Sequence, residues 1–297
     1  MRFIVSTSTL LKHLQTVNGA SSSSTVLPIL ENFLFEIKEG NLTISATDLQ
    51  TSMTTSLPVE SKEEGKVAVP SRILLDTLKT LPDQPITFHV DDNNFAIEIS
   101  AGDGKYKLSG ENGDDFPKIP VVDNASSVNL PATVLSEAII KTIFAVSNDE
   151  LRPAMTGVYC QLSPQNITFV ATDAHKLVRY RRNDSKAEKA SSFILPKKAL
   201  TLLKAALPNN DINVSVDYNA TSAFFKFENI NLICRLIDER YPDYEAVIPA
   251  NNPNKLVIDR ALFLNTLRRV VIFANKTTHQ VRLKINGSEL HISSEDL

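Results

Sequence analysis

Glycine is scarce in this chain, with 9 residues in 297, and tryptophan is absent. The sequence contains no GxGxxG, no GxxxxGK[ST], no CxxC pair and no HExxH. A glycine-built phosphate cradle and the usual helical zinc pair are therefore excluded at the level of motif. There are only two cysteines, Cys160 and Cys234, each inside an apolar strand-like run (VYC and LIC). That placement reads as inert core thiols of a reducing compartment. No apolar run approaches the ~18 residues that a membrane span needs, and the opening MRFIVSTSTL lacks a signal-peptide layout. Apolar residues at 42% and charged residues at 22% are ordinary for globular domains. The net charge of −3 by itself speaks against nucleic acid as a partner.

What the chain does have is a long internal repeat. Leu42-Thr43-Ile44-Ser45-Ala46-Thr47-Asp48 resembles Ile167-Thr168-Phe169-Val170-Ala171-Thr172-Asp173, and both resemble Leu290-His291-Ile292-Ser293-Ser294-Glu295-Asp296. Val69-Pro70 with the following SRILLDTLKTLP matches Leu195-Pro196 with KKALTLLKAALP, and Phe116-Pro117 recurs as Tyr241-Pro242. A shared offset of about 125 residues is too long for a solenoid unit, so each repeat is a domain. Loose Pro/Asn/Ser stretches at 121–127 and 250–254 mark the junctions. The boundaries expected are 1–121, 122–250 and 251–297, the last about 75 residues short of a full period.

Within a repeat the pattern reads strand, helix, strands, twice over. Short apolar strands are expected at Phe3–Val5, Val128–Leu130 and Leu256–Ile258, each ahead of a helix. Residues 95–100 alternate as a strand. In the second repeat Leu135, Ala138, Ile139, Thr142, Ile143 and Val146 share a helical face, and Pro131 suits the first turn. The fold class is α+β: two helices packed on antiparallel sheets in each repeated unit.

Charge is segregated. The expected helices 7–20, 71–81, 131–147, 196–207 and 259–276 together carry eight net positive charges, which leaves −11 on the rest of a −3 chain. The cations in question are Lys12, Arg72, Lys79, Lys141, Lys197, Lys198, Lys204, Arg268 and Arg269. A basic helix layer on an acidic body suits a protein that surrounds a polyanion without reading its bases.

The segments ATDAHKL (171–177), RYPDYEAVIPA (240–250), LPILENFLF (27–35) and FIVSTSTLLKHL (3–14) resemble the beta sliding clamp family of bacterial DNA polymerase III. The likeness extends over all 297 residues and breaks off partway through a third domain. It implies repeated clamp domains arranged in a crescent, two of which close head to tail into a homodimeric ring around duplex DNA, with helices lining the bore. It implies a processivity factor with no catalytic residue, no cofactor and no metal, located in the bacterial cytoplasm at the nucleoid. The partners implied are double-stranded DNA, the polymerase III catalytic subunit, a clamp loader, and other polymerases and repair proteins that dock a short peptide motif. The peptide groove maps onto Met155, Thr172, Ala174, His175, Lys176, Leu177, Pro242 and Val247. Ala174 stands where relatives often have glycine, and Lys176 and Ala246 where they often have arginine. Ring closure maps onto the strand Lys105–Leu108, with Tyr106 and Leu108 as apolar contacts, and onto Ile272 and Phe273. Its partner strand is expected near Leu297. The loop Ser21–Ser24 replaces a position that can carry a DNA-contacting arginine.

Two other readings compete. One is an enzyme using Asp173 and His175 as an acid–base pair. Against it, Asp48 repeats Asp173 with no histidine beside it, as a turn aspartate would. The other is a protein-interaction scaffold that does not encircle DNA.

Overall fold

The computed structural model describes residues 1–22, 27–121 and 123–296. Ser23, Ser24 and Leu297, on which parts of the arginine-loop and ring-closure expectations fall, lie outside the described residues.

The first repeat contains β1 (Arg2–Ser6), α1 (Thr7–Asn18), β2 (Asn32–Lys38), β3 (Asn41–Thr47), β4 (Thr51–Pro58), β5 (Glu60–Ser61), β6 (Gly65–Pro70), α2 (Ser71–Thr80), β7 (Pro85–Val90), β8 (Ala96–Ala101), β9 (Gly104–Ser109) and β10 (Glu111–Asn112). The second contains β11 (Ser126–Pro131), α3 (Ala132–Thr142), β12 (Gly157–Leu162), β13 (Ile167–Thr172), β14 (Leu177–Arg182), β15 (Ser191–Pro196), α4 (Lys197–Ala206), β16 (Asn213–Tyr218), β17 (Ser222–Phe227) and β18 (Ile230–Arg235). The remaining elements are α5 (Arg260–Val270), β19 (Arg282–Asn286) and β20 (Glu289–Ser293). This is the α+β class expected.

Each repeat is two copies of strand–helix–three strands, and the copies exchange their first strands. β1 pairs with β7 of the second copy, while β6 pairs with β2 of the first. The second repeat does the same with β11–β16 and β15–β12. Each helix is therefore tied at its N-terminus to one sheet and followed by another, which locks the two halves together.

The two repeats are joined by a continuous sheet. β4 pairs antiparallel with β18 in the register Thr55↔Ile230, Met53↔Leu232 and Thr51↔Cys234. The resulting nine-stranded sheet runs β10-β6-β2-β3-β4-β18-β17-β16-β11. Met53, Thr55 and Leu232 are all buried at this seam, and one apolar cluster runs through both repeats. Residues Met1–Pro242 accordingly form one compact unit, and the residues from Asp243 onward form a second.

Several expected boundaries move. The helix expected over 131–147 ends at Thr142 and continues only as a 3-10 turn, Ile143–Ala145. There Ser147 donates its N–H to Met155, which draws the chain away. The helix expected over 259–276 ends at Val270 with a 3-10 turn to Phe273, and the Asn275 side chain then accepts from the N–H groups of Thr277 and Thr278 in a loop. Helix α1 stops at Asn18, short of the expected residue 20. Pro131 and Pro196 close their strands at the N-cap rather than entering the first turn. Phe95 adopts φ +57° and belongs to a turn, so its strand begins at Ala96. Leu256–Ile258 form no strand. The equivalent strands β1 and β11 exist by pairing with β7 and β16, whereas the described strands of the second unit, β19 and β20, pair only with each other.

Because β4 and β18 share backbone bonds and a core, the two repeats unfold together. Leu232→Ala removes a fully buried seam side chain, a change that costs about 2–5 kcal/mol. Hydrogen exchange under increasing urea is expected to show β3 and β17 losing protection at the same, lowered concentration. Separate losses would refute the shared unit.

Candidate nucleic-acid interface and hairpin groove

The four helices of the first unit form one row. α1 packs on α2 and α3 on α4, and the junction between repeats is made by Gly19 and Leu202. A Cβ on Gly19 would fall 2.3 Å from Leu202 Cδ2, so any larger residue there would force the Leu202 side chain to move. The order α2–α1–α4–α3 results, with α1 seated on β3 and β4, and α4 on β18. His13, half-buried on α1, bonds Thr55 of the seam strand at 2.8 Å. Burial and the neighbouring Lys12 charge hold its pKa down. Asn229 reaches the same seam, donating to the Ser56 carbonyl at 2.7 Å.

The expected cations divide by environment. Lys12, Arg72 and Lys204 are exposed and make no ion pair among the described residues. Lys79 lies 3.5 Å from Asp76 one turn earlier, an exposed contact worth little. Lys197 donates to Asn148 Oδ1 at 2.8 Å, and Lys198 donates to Asp48 Oδ2 of the other repeat at 2.6 Å. Lys141 stands apart: its ammonium lies 4.7 Å over the Tyr180 ring. Tyr180 donates to Glu137, which also takes Arg182 at 2.9 Å. The Tyr180 hydroxyl and the Lys141 charge hold the Glu137 carboxyl below its usual range. Lys141 thus belongs to the α3–β14 joint. In the second unit, Arg268 and Arg269 are exposed on the last turn of α5.

The β13–β14 hairpin brings five of the expected groove residues together. Thr172 Oγ1 donates to the Lys176 carbonyl and accepts from Ala174 N–H. Asp173 Oδ1 accepts from His175 N–H at 3.0 Å and Lys176 N–H at 2.9 Å, and the Lys176 ammonium closes on its other oxygen. These bonds, led by Lys176, hold Asp173 well below the ordinary carboxylate range. A carboxylate so engaged is poorly suited as an acid–base partner for His175. Leu177, half-buried, opens β14 opposite Thr172. Met155 sits half-buried on the 3-10 turn Pro153–Thr156 that leads into β12. Pro242 follows Tyr241, which stacks on Tyr159 of β12 at 4.6 Å. Val247 is exposed on the turn Glu245–Val247 of the second unit.

The first repeat builds the same hairpin. Asp48 accepts from Gln50 and Thr51 N–H, and Leu49 donates to Thr47 Oγ1 as Ala174 does to Thr172. Leu49 and Ala174 share φ +73°. The repeated aspartate is a turn residue, as the sequence suggests.

The ring-closure residues are placed unequally. β9 is an edge strand of its five-stranded sheet. Tyr106 is half-buried, and Leu108, two residues on and on the same face of β9, is a core residue at 9% exposure. Ile272 and Phe273 are exposed on the turn after α5. Cys160 and Cys234 are buried, and desolvation pushes both thiols up, Cys234 to about 12. Among the described residues no cluster of His, Cys, Asp and Glu could hold a metal, and no helix is long and apolar enough to cross a membrane.

Paired α+β repeats fused edge to edge under a row of helices define the sliding-clamp class of protein. Residues 1–120 match the family model for the DNA polymerase III beta subunit, N-terminal domain, and residues 129–243 the model for its central domain. The chain belongs to the DNA polymerase III beta subunit family. It is 29% identical over 293 residues to the beta sliding clamp of Halalkalibacterium halodurans, covering 95% of this chain and 77% of that protein. The crystal structure of the Bacillus subtilis DNA polymerase sliding clamp superimposes with a TM-score of 0.93 at 26% identity, covering 98% of this chain and 80% of that one. A Pseudomonas aeruginosa sliding clamp bound to griselimycin gives the same TM-score at 26% identity, over 99% and 80%.

Ala174 occupies a left-handed conformation that costs a β-carbon about 1 kcal/mol. Ala174→Gly is expected to stabilise the first unit by about 0.5–1 kcal/mol in urea melts. An unchanged or lowered midpoint would show that the turn is not strained.

Proposed function

We infer that this chain is a DNA sliding clamp, a processivity factor that holds polymerases on duplex DNA by surrounding it. The observation that carries the reading is the pair of cationic helices α1 and α4, one from each repeat, laid side by side on a sheet that continues across the repeat junction. Phosphates facing Lys12, Arg72 and Lys204 are attracted without base readout, which permits sliding. Lys79, Lys197, Lys198, Arg268 and Arg269 add to the field on this reading, and Lys141 the least.

The domain boundaries proposed are 1–121, 122–250 and 251–297. Ring closure is supported by strand type. The seam joins β4 to β18; by the repeat, β9 is equivalent to β18 and is a sheet edge, and the strand of the β4 type in the third repeat is expected near Leu297. A head-to-tail contact between edges of these two types, in two copies, closes a ring. Tyr106 on β9 and the exposed Ile272 and Phe273 are proposed at that contact. Leu108, two residues along β9 on the same face as Tyr106, is proposed there with it.

The β13–β14 hairpin, with Met155, Pro242 and Val247, is proposed to take the short apolar-anchored peptides of the polymerase III catalytic subunit, the clamp loader and other polymerases and repair proteins. No catalytic role is assigned to the chain, and a bacterial cytoplasmic location at the nucleoid goes with the replication role. The scaffold reading gains nothing from the family.

On nicked circular DNA the loaded protein is expected to be retained until the circle is cut, then lost from the ends. Retention after linearisation would refute topological holding. For the groove, Leu177→Ala combined with Pro242→Ala removes two apolar anchors and is expected to weaken a polymerase tail peptide at least 10-fold by fluorescence anisotropy. Unchanged affinity would move the site elsewhere.

A further inference from the structure

Lys198 is one of the cations of the helix row, yet its ammonium is already engaged. It donates at 2.6 Å to Asp48 Oδ2, which belongs to the other repeat. Asp48 is only 16% exposed and cannot swing away freely, because its Oδ1 is held by the N–H groups of Gln50 at 2.9 Å and Thr51 at 2.6 Å. Asp48 in turn is fixed beside the seam, where Gln50 accepts from Arg235 N–H at 2.8 Å. The corresponding aspartate of the second repeat, Asp173, is satisfied by Lys176 in its own hairpin. The first repeat has Thr51 at that position, which leaves Asp48 to the lysine from across the seam.

We propose that Asp48 is an internal competitor for Lys198, an affinity-setting residue that masks one cation of the DNA-facing row and ties the two repeats together with it. The inference rests on the sliding-clamp reading and deepens it. A phosphate can recruit Lys198 only by replacing a preorganised carboxylate. Lys198 therefore releases little counterion on binding, and its contribution to salt dependence is well below that of an unpaired lysine. A clamp that must slide gains from such a brake, since a weaker phosphate grip leaves holding to topology.

Asp48→Asn keeps an oxygen for the Gln50 and Thr51 N–H groups and removes only the charge that faces Lys198. Asp114→Asn, in the 3-10 turn after β10 where it faces Lys66 at 3.4 Å rather than a cation of the helix row, removes the same net charge as a control. Affinity of the whole chain for a short duplex is read by anisotropy across a salt series. Asp48→Asn is expected to steepen the slope of log K against log salt by about 0.9, and Asp114→Asn to leave it nearly unchanged. Lys198→Met is expected to cost about 0.9 in slope in the Asp48→Asn background and much less in the wild type. Equal losses in both backgrounds, or no steepening with Asp48→Asn, would overturn the masking while leaving the clamp reading intact. Absence of any salt-dependent DNA binding, in the wild type and Asp48→Asn alike, would remove the clamp reading and this inference with it. A thermal double-mutant cycle on Asp48 and Lys198 checks the pairing itself, and a coupling indistinguishable from zero would also overturn the proposal.

Discussion

The β4–β18 pairing is the constraint on which the first 242 residues depend. Five residue pairs, from Thr51↔Cys234 to Thr55↔Ile230, turn two repeats into one sheet. An antiparallel ladder fixes orientation as well as proximity, since slipping by one residue would turn Met53 and Leu232 out of the core. The remaining junction contacts are consequences. Gly19 meets Leu202 because the ladder brings α1 beside α4, and His13 and Asn229 satisfy polar groups that the seam would otherwise bury.

The same ladder explains why the helices form a row. A helix over an antiparallel sheet buries one face and leaves the other to solvent. Leu10, Leu14 and Val17 of α1 are buried while Lys12 is exposed; Leu200 and Leu203 of α4 are buried while Lys204 is exposed. Once the sheet is continuous, the cationic faces of successive repeats fall into line without any contact designed for that purpose. Charge segregation in the sequence thus becomes a surface through backbone hydrogen bonds between residues that carry no charge at all.

Much of this was legible in the sequence because duplication writes the same signal twice. The 125-residue offset located the repeats, and the paired aspartates, one without a neighbouring histidine, identified a turn rather than a catalytic site. What was not legible required knowing neighbours across the fold. Lys198 and Asp48 are 150 residues apart, and nothing local marks them as partners. Lys141 reads as a solvated helix cation, but an aromatic ring on β14 captures it. Leu256–Ile258 has the composition of a strand, but a strand is a property of a pair, and its composition could not supply the partner.

The repeat also sets what the free edges can accept. β9 and β14 are related by the duplication to β18 and β4, the two strands that already recognise each other at the seam. The proposed ring closure would use this geometry a second time: β9, of the β18 type, would take an edge of the β4 type from another copy, with no new kind of contact. An interface of that kind would be weaker than the seam, because no continuous chain would hold its two sides together and association carries its own entropic cost. That difference is what a ring requires: internal junctions that stay shut, and an outer junction that can be opened to admit DNA.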